Sequence, residues 1–296
     1  MMPWPPEVVD RALGAYLGLA LGDALGATVE FMTPREIRHE YGVHREIVGG
    51  GWLKLAPGAV TDDTTMALAL GQALVARQGW SLAAVAESFA AWLRAKPVDC
   101  GNTCRRGIRR YLVSGTLSAP PSESDGGNGA LMRNLPVVLA SLRDETSGAR
   151  WTIAQCHITH HHRLSDAATL AFAHMVRSLV LGEAPSPCEA LAQALVAEHP
   201  AFRHSPYSGR ASGYVVDTVQ TVLHHFFSYE DFEECVVATV NQGEDADTAG
   251  ALVGMLAGAR CGERRLPARW LRALDRSIQA RIRAQTASLL ALAARN

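Results

Sequence analysis

Several things are scarce in this sequence, and each scarcity closes a reading. The six cysteines, at 100, 104, 156, 188, 235 and 261, are scattered singly over 296 residues with no CxxC pair. That spacing excludes a dense disulfide framework and suits a reducing compartment, where thiols behave as small apolar side chains. Charge of one sign is also lacking: Lys plus Arg number 28 and Asp plus Glu 29, a formal net charge of −1. Without a basic run there is no electrostatic footprint for nucleic acid or for an anionic membrane. The most apolar stretch near the N-terminus, residues 12–27, carries Asp23 and four glycines and is too short for a comfortable membrane span. The opening MMPWPPEVVD has three prolines and two acids in place of an apolar core, so no secretory signal is expected. These absences, with 48% hydrophobic content, predict a folded cytoplasmic protein with a sizeable buried core.

Strand-like alternation is missing as well, whereas helical spacing runs almost throughout and predicts an all-α fold. Between residues 165 and 181, Ser165 is placed to cap a helix. Ala168, Phe172, Met175, Val176 and Leu179 form its apolar stripe, and Gly182 ends it. After Pro267, one C-terminal helical pattern puts Leu271, Leu274, Ile278 and Ile282 on a common face. Further helices are predicted near 7–25, 62–77, 82–95, 129–142, 188–198, 211–227 and 230–240. Two helices carry glycine at every fourth residue: Gly14, Gly18, Gly22 and Gly26 in one, Gly250, Gly254 and Gly258 in the other. Each glycine costs about 1 kcal/mol against alanine inside a helix, so the repetition predicts close backbone approach at the bundle centre. The loops 49–60, 118–129 and 199–210 are rich in Gly, Pro and Ser, and the first two lead into helices, where sites on helical scaffolds tend to sit.

The chemistry-bearing residues gather at such junctions. Thr61, Asp62 and Asp63 open one predicted helix, and Asp245, Asp247 and Thr248 open another, within NQGEDADTAG. Either cluster alone is an ordinary helix start, where Thr or Asp satisfies free amides and acids meet the positive end of the dipole. Two of them, far apart in sequence, offer the hard oxygen ligands that Mg²⁺ or Mn²⁺ takes. Face to face, their carboxylates would repel unless cations lay between them. Glu30 reads as a surface acid unless the two glycine helices pack together, in which case its loop reaches the same cluster and Asp23 is left with a structural part. Asp99 and Asn102 precede a helix with Arg105, Arg106, Arg109 and Arg110. They suit capping, or for Asp99 a fork to a guanidinium. The arginines read as a solvated face. Gly127, Asn128 and Gly129 lie in a Gly-rich turn whose free amides suit phosphate or ribose oxygens, although P-loop spacing and a preceding strand are missing. HITHHHRLSD lacks the ligand pairs of a zinc site, so one of its histidines fits better as a phosphate contact. His224 and His225 read as part of an ordinary amphipathic helix.

In this order, GAYLGLALGDALG, TDDT, the Gly-rich loop, the TH at 159–160 and the pattern Gly243, Asp245, Asp247, Thr248 resemble the ADP-ribosylglycohydrolase family, from about residue 11 to 260. The resemblance implies a single all-α domain over residues 1–296. It also implies a binuclear Mn²⁺ or Mg²⁺ centre held by Glu30, Thr61, Asp62, Asp63, Asp245, Asp247 and Thr248. Asp99 and Asn102 would meet the arginine side of the substrate, Gly127, Asn128 and Gly129 the ribose and diphosphate, and His160 the phosphates. Many relatives carry Ser near Asn128 or Ala130, so this chain departs there.

Within the family, GNTCRRGIRRY and NQGEDADTAG are most similar to the bacterial branch that frees an arginine of dinitrogenase reductase, the nitrogenase iron protein, from ADP-ribose. The implied reaction is hydrolysis of the N-glycosidic bond, with metal ions orienting the ribose and activating water. Asp62 or Asp63 would orient that water and Asp99 would hold the leaving guanidinium. The implied partners are ADP-ribosylated dinitrogenase reductase, a PII signalling protein and an ammonium channel, with a monomeric cytoplasmic enzyme reversibly drawn to the membrane. Charge alone points to Arg106 and Arg109 for docking the protein substrate. Two alternatives stand beside this: hydrolysis of a serine adduct or of O-acetyl-ADP-ribose, and a non-catalytic ADP-ribose-binding module.

Overall fold

The computed structural model describes residues 4–183 and 186–295. Along them run α1 (Pro6–Gly26), α2 (Pro34–Tyr41), α3 (Asp62–Arg77), α4 (Leu82–Arg94), α5 (Asn102–Ser114), α6 (Leu135–Ala140) and α7 (Glu145–His157). The second half continues with α8 (Arg163–Leu181), α9 (Ser186–Glu198), α10 (Val215–Ser228), α11 (Phe232–Val240), α12 (Ala246–Cys261), α13 (Ala268–Ala273) and α14 (Arg276–Ala293). Among the described residues no strand forms. The nearest approach is two isolated backbone bridges, Gly50 with Leu55 and Gly127 with Tyr214.

The glycine stripes decide the packing. α1 and α12 lie against each other along their length. A Cβ added to Gly22 would stand 1.9 Å from the carbonyl oxygen of Gly250, and one on Gly18 would stand 2.2 Å from that of Gly254. No side chain fits there, so the backbones touch. Every residue from Gly14 to Gly26, and from Ala246 to Ala259, is buried. A helix apolar on all sides belongs in the centre of the molecule, and both helices lie there, as the stripes predict. α10 and α11 pack on α12, and α14 and α8 on α1. A buried polar joint crosses the core: the Tyr16 hydroxyl donates to Gln285 Oε1 at 2.7 Å, and Gln285 Nε2 donates to the Leu68 carbonyl at 3.0 Å.

Differences from the sequence pattern have local causes. α2 and α7 carry no apolar stripe to betray them. α2 buries only Ile37 and begins with a Thr33–Glu36 capping box, while α7 buries Ser147, Gly148, Thr152, Gln155 and Cys156. The helix expected over 129–142 shrinks to α6, because residues 129–133 form turns. The C-terminal pattern breaks at Leu274. There the Asp275 side chain accepts from the backbone N–H of Ser277 and Ile278 and starts a new helix, so Leu271 is only half-buried while Leu274, Ile278 and Ile282 are core. α8 begins two residues before Ser165, whose hydroxyl donates to the Gly127 carbonyl (2.9 Å) while His162 caps the helix. α8 is long and apolar enough to cross a membrane, yet 56% of it is buried in the fold, the mark of a core helix.

Candidate metal centre and substrate pocket

The seam ends where the chemistry begins. At the last turns of α1, Asp23 is wholly buried and turned toward the start of α3. Its carboxylate accepts from Thr61 N–H (2.9 Å), Thr64 N–H (3.1 Å) and the Thr64 hydroxyl (2.5 Å). Thr61, at the capping position of α3, makes no side-chain cap itself. Asp23 therefore caps α3 from another helix, and that leaves the oxygens of Thr61, Asp62 and Asp63 free for other work.

A second junction brings in Glu30. Phe31 and Glu244 both adopt left-handed backbone, at φ 63° and 52°, which side-chain-bearing residues rarely hold without cause. They hold it while the two segments grip each other: Phe31 N–H donates to the Glu244 carbonyl (2.6 Å) and Glu244 N–H to the Met32 carbonyl (2.8 Å). Glu30 is thereby set beside Asp245 and Asp247, and carboxylate oxygens of these three lie within 4.8 Å of one another. Hydroxyls stitch in the α3 acids. Thr61 Oγ1 reaches Asp247 Oδ2 at 3.2 Å, and Thr248 Oγ1 reaches Asp63 Oδ2 at 3.2 Å. Asp62 accepts from Gly101 N–H at 3.2 Å, and Asn128 Nδ2 donates to Asp245.

Among the described residues no cationic side chain pairs with these carboxylates, and the electrostatics of the cluster show it. Burial pushes Glu30 up to about 8; the Trp52 indole opposes the shift, and the charges of Asp245, Asp99 and Asp62 add to it. Burial and then the Asp99 charge push Asp62 up to about 8. Burial likewise raises Asp63 and Asp247 well above the usual carboxylate range, with neighbouring carboxylates adding to it. Asp63 Oδ1 is buried without any hydrogen-bond partner. Oxygen-only donors, crowded like charges and an orphaned buried oxygen are what a hard divalent cation would satisfy.

The cluster floors a cavity of about 730 Å³. Asp99, Asn102 and the first turn of α5 form one wall. Gly101, not Asp99 or Asn102, takes the capping position of α5, so both side chains stay available to the cavity. The facing wall is the Gly-rich turn with His160 behind it. This turn is tied on three sides: Asn128 N–H donates to the Gly213 carbonyl (3.2 Å), Val215 N–H to the Gly126 carbonyl (2.9 Å), and Asp125 pairs with Arg106. Arg106 thereby braces the turn from α5, with its side chain 56% exposed. Arg105 and Arg110 are also tied, to the carbonyls of Cys100 and Ile158.

His160 is buried, its pKa held well below the usual value by desolvation and then by Arg133. Its Nδ1 meets the Thr159 hydroxyl at 2.8 Å, and that hydroxyl accepts from Arg133 at 2.8 Å. His160 Nε2 is the ring nitrogen nearer Gly127. Arg133 was not singled out in the sequence; it is fully buried, stacks over Phe89 at 4.4 Å and reaches Gln155.

Of the residues singled out in the sequence, Glu30, Asp62, Asp99, Asn102, Gly127, Asn128, Gly129, His160, Asp245, Asp247 and Thr248 line the cavity. Thr61 and Asp63 lie just beneath, fully buried. The spacing gave no hint of Trp52 and Phe31 at the mouth, or of Ser212 and Gly213 in the wall.

A fold centred on a glycine seam, with acids from both helix ends and α3 flooring one cavity, matches a known class. Residues 4–296 match the family model described as ADP-ribosylglycohydrolase, and the chain belongs to that family. It is 55% identical over 288 residues to the ADP-ribosyl-[dinitrogen reductase] glycohydrolase of Rhodospirillum rubrum, across 97% of this chain and 98% of that one. It is also 32% identical to the ADP-ribosylarginine hydrolase Tri1 of Pseudomonas putida, over 90% of this chain and 75% of the relative. Among solved structures, an ADP-ribosylglycohydrolase-related protein complex superposes with a TM-score of 0.86 at 35% identity, covering 98% of this chain and all of the other.

Proposed function

We propose that this chain hydrolyses the N-glycosidic bond between ADP-ribose and an arginine of dinitrogenase reductase, and so restores nitrogen fixation. The observation that carries the reading is the convergence of buried carboxylates from α1's end, α3 and α12 on one cavity, with Asp63 Oδ1 lacking any partner. The 55% identity to the Rhodospirillum rubrum enzyme, whose name states that substrate, supports the choice of protein.

In this reading Glu30, Thr61, Asp62, Asp63, Asp245, Asp247 and Thr248 would hold two divalent ions, Mn²⁺ or Mg²⁺. When bound, such ions supply Lewis acidity, a template for the ribose hydroxyls and a lowered pKa for water. The chain's own groups do the rest. His160, behind the Gly-rich turn, meets a phosphate oxygen of the ADP-ribose. The amides of Gly127, Asn128 and Gly129 serve the ribose and diphosphate. Asp99, half-buried beside Asp62, meets the guanidinium in a fork. That contact keeps the proton on the leaving guanidine, which cannot depart as an anion. Asp62 or Asp63 orients the attacking water. Residues 1–296 act as one catalytic domain and as a monomer. It works in the cytoplasm, with a PII protein and an ammonium channel as the partners that draw it reversibly to the membrane.

Metal-stripped protein is to be given ADP-ribosylated dinitrogenase reductase, ADP-ribosylarginine and an ADP-ribosylserine peptide, with and without Mn²⁺. Release of ADP-ribose from the first two, only with Mn²⁺, is the expected result. Cleavage of the serine adduct alone would reassign the substrate. Tight ADP-ribose binding with no cleavage of any would make the chain a binding module.

A further inference from the structure

We infer that Trp52 is a positioning residue of the metal centre, holding Glu30 by its indole N–H so that one carboxylate oxygen remains for a cation. The inference rests on the reading of Glu30 as a metal ligand.

Three observations lead to it. First, Trp52 Nε1 donates to Glu30 Oε2 at 2.6 Å, which uses one of the two carboxylate oxygens. Second, Trp52 is 50% exposed and its ring neighbour Phe31 is 65% exposed, with centroids 5.3 Å apart. An aromatic pair so wet contributes little to the core, so burial does not account for its placement. Third, the loop is built to put the indole there. Gly50 and Leu55 exchange both backbone hydrogen bonds around the turn, and the Thr28 hydroxyl donates to the Gly49 carbonyl at 3.0 Å. At Gly51, φ is +65° and a Cβ would meet the Ala27 carbonyl oxygen at 2.4 Å, so the turn sits directly on the segment that leads into Glu30.

The physical consequence is orientation. Glu30 follows α1 in a turn, on a side chain with three rotatable bonds, and Asp245 and Asp247 repel it. An N–H fixed on Oε2 restricts that freedom and leaves Oε1 outside this hydrogen bond, open to a cation. Ligating carboxylates in metal sites are held in this way by outer partners, whose loss costs about 10- to 100-fold in metal affinity.

Full-length protein, stripped of metal, is titrated with Mn²⁺ alone, and free ion is followed by electron paramagnetic resonance. The variants are Trp52→Phe, which keeps a ring but no donor, and Trp52→Ala, which keeps neither. Both are expected to lose Mn²⁺ affinity by about 10-fold or more and to a similar degree, while the metal-free melting temperature of W52F stays at the wild-type value. Wild-type affinity in W52F would overturn the inference, because the ring and not its N–H would then matter. A fall in the metal-free melting temperature that accompanies the affinity loss would overturn it too, by assigning Trp52 a role in the fold. Failure of the wild-type protein to bind Mn²⁺ would instead reject the metal centre itself.

Discussion

The helix pair α1 and α12 has two ends of opposite character, and the contrast explains how the molecule divides its labour. Toward Gly14 and Gly258 the pair is a buried seam of backbone on backbone. Toward Gly26 and Asp245 the same pair, joined by the start of α3, delivers carboxylates into a shared space where their requirements are not met: their pKa values are raised and Asp63 Oδ1 of α3 is left alone. Dense packing tolerates no change of volume, so the seam fixes the helix register, and the register fixes which acids meet. Stability resides at one end, and its rigidity is used at the other to hold like charges together.

Changes at the two ends should therefore have opposite signatures. At the seam, Gly22→Ala would drive a methyl group to 1.9 Å from the Gly250 carbonyl oxygen, with backbone on both sides and nothing flexible to yield. The expected result is the largest of all: loss of several kcal/mol and little folded protein, read by soluble yield and circular dichroism. A folded G22A with wild-type melting would mean the helices can slide apart and the seam is not rigid. At the carboxylate end, Asp247→Asn removes one of the crowded charges. Activity with Mn²⁺ should fall by about 10²-fold or more, since a metal contributes several kcal/mol of transition-state stabilisation. The metal-free protein should melt at the same temperature or higher. If D247N unfolds as G22A does, the acid end carries stability after all.

The same contrast governs what could be read from the sequence. The seam was legible because a glycine every fourth residue has a local steric meaning that survives without knowledge of the partner helix. The acids were legible as clusters, but their meeting depends on register across three separated segments, and the family pattern supplied what spacing alone did not. Thr61 and the aspartates beside it carry the signal of a capped helix start, and only the structure shows that Asp23 does the capping. Trp52 and Arg133 escaped notice for a common reason: each acts on a neighbour distant in sequence, Glu30 and Thr159, through a hydrogen bond that leaves no periodicity. Helices α2 and α7 were missed because they bury little that is apolar.

Asp23 stands where the two ends join, so its replacement should produce a mixture of both signatures at smaller size. Asp23→Asn keeps one acceptor but turns an NH₂ group toward the N–H donors of α3. The loss of a cap and of a buried charge-assisted bond should cost about 1–3 kcal/mol, measured by urea unfolding of the metal-free protein. Because the start of α3 then loosens, Mn²⁺ affinity should also drop, by about tenfold. Weakened stability with intact affinity would show that Thr61 and Asp63 are positioned from α12 alone, through Thr248 and Asp247.

The smallest effect is a slope. Glu30 and Asp62, pushed up to about 8 chiefly by burial, keep protons in the metal-free folded state that the unfolded chain has already released above about pH 4–4.5. A carboxyl raised by folding makes its stabilising contribution at low pH and loses it as pH rises through the folded pKa. Stability of the metal-free protein should therefore fall between pH 6.5 and 8.5. His44, His160 and His225 are depressed by desolvation and work in the opposite sense, but only below about pH 6.5, where the unfolded histidines gain protons. The expected change is about 1–2 kcal/mol for a single buried carboxyl, or a few degrees of melting temperature. Saturating Mn²⁺ should flatten the slope, because a bound cation favours the ionised carboxylates at every pH in that window. Glu30→Gln should reduce the slope of the metal-free protein by the share of Glu30 alone, because Asp62, Asp63 and Asp247 are raised as well. A flat metal-free profile would mean that the acids are already relieved within the protein, and the contrast between a finished seam and an unfinished cluster would fail.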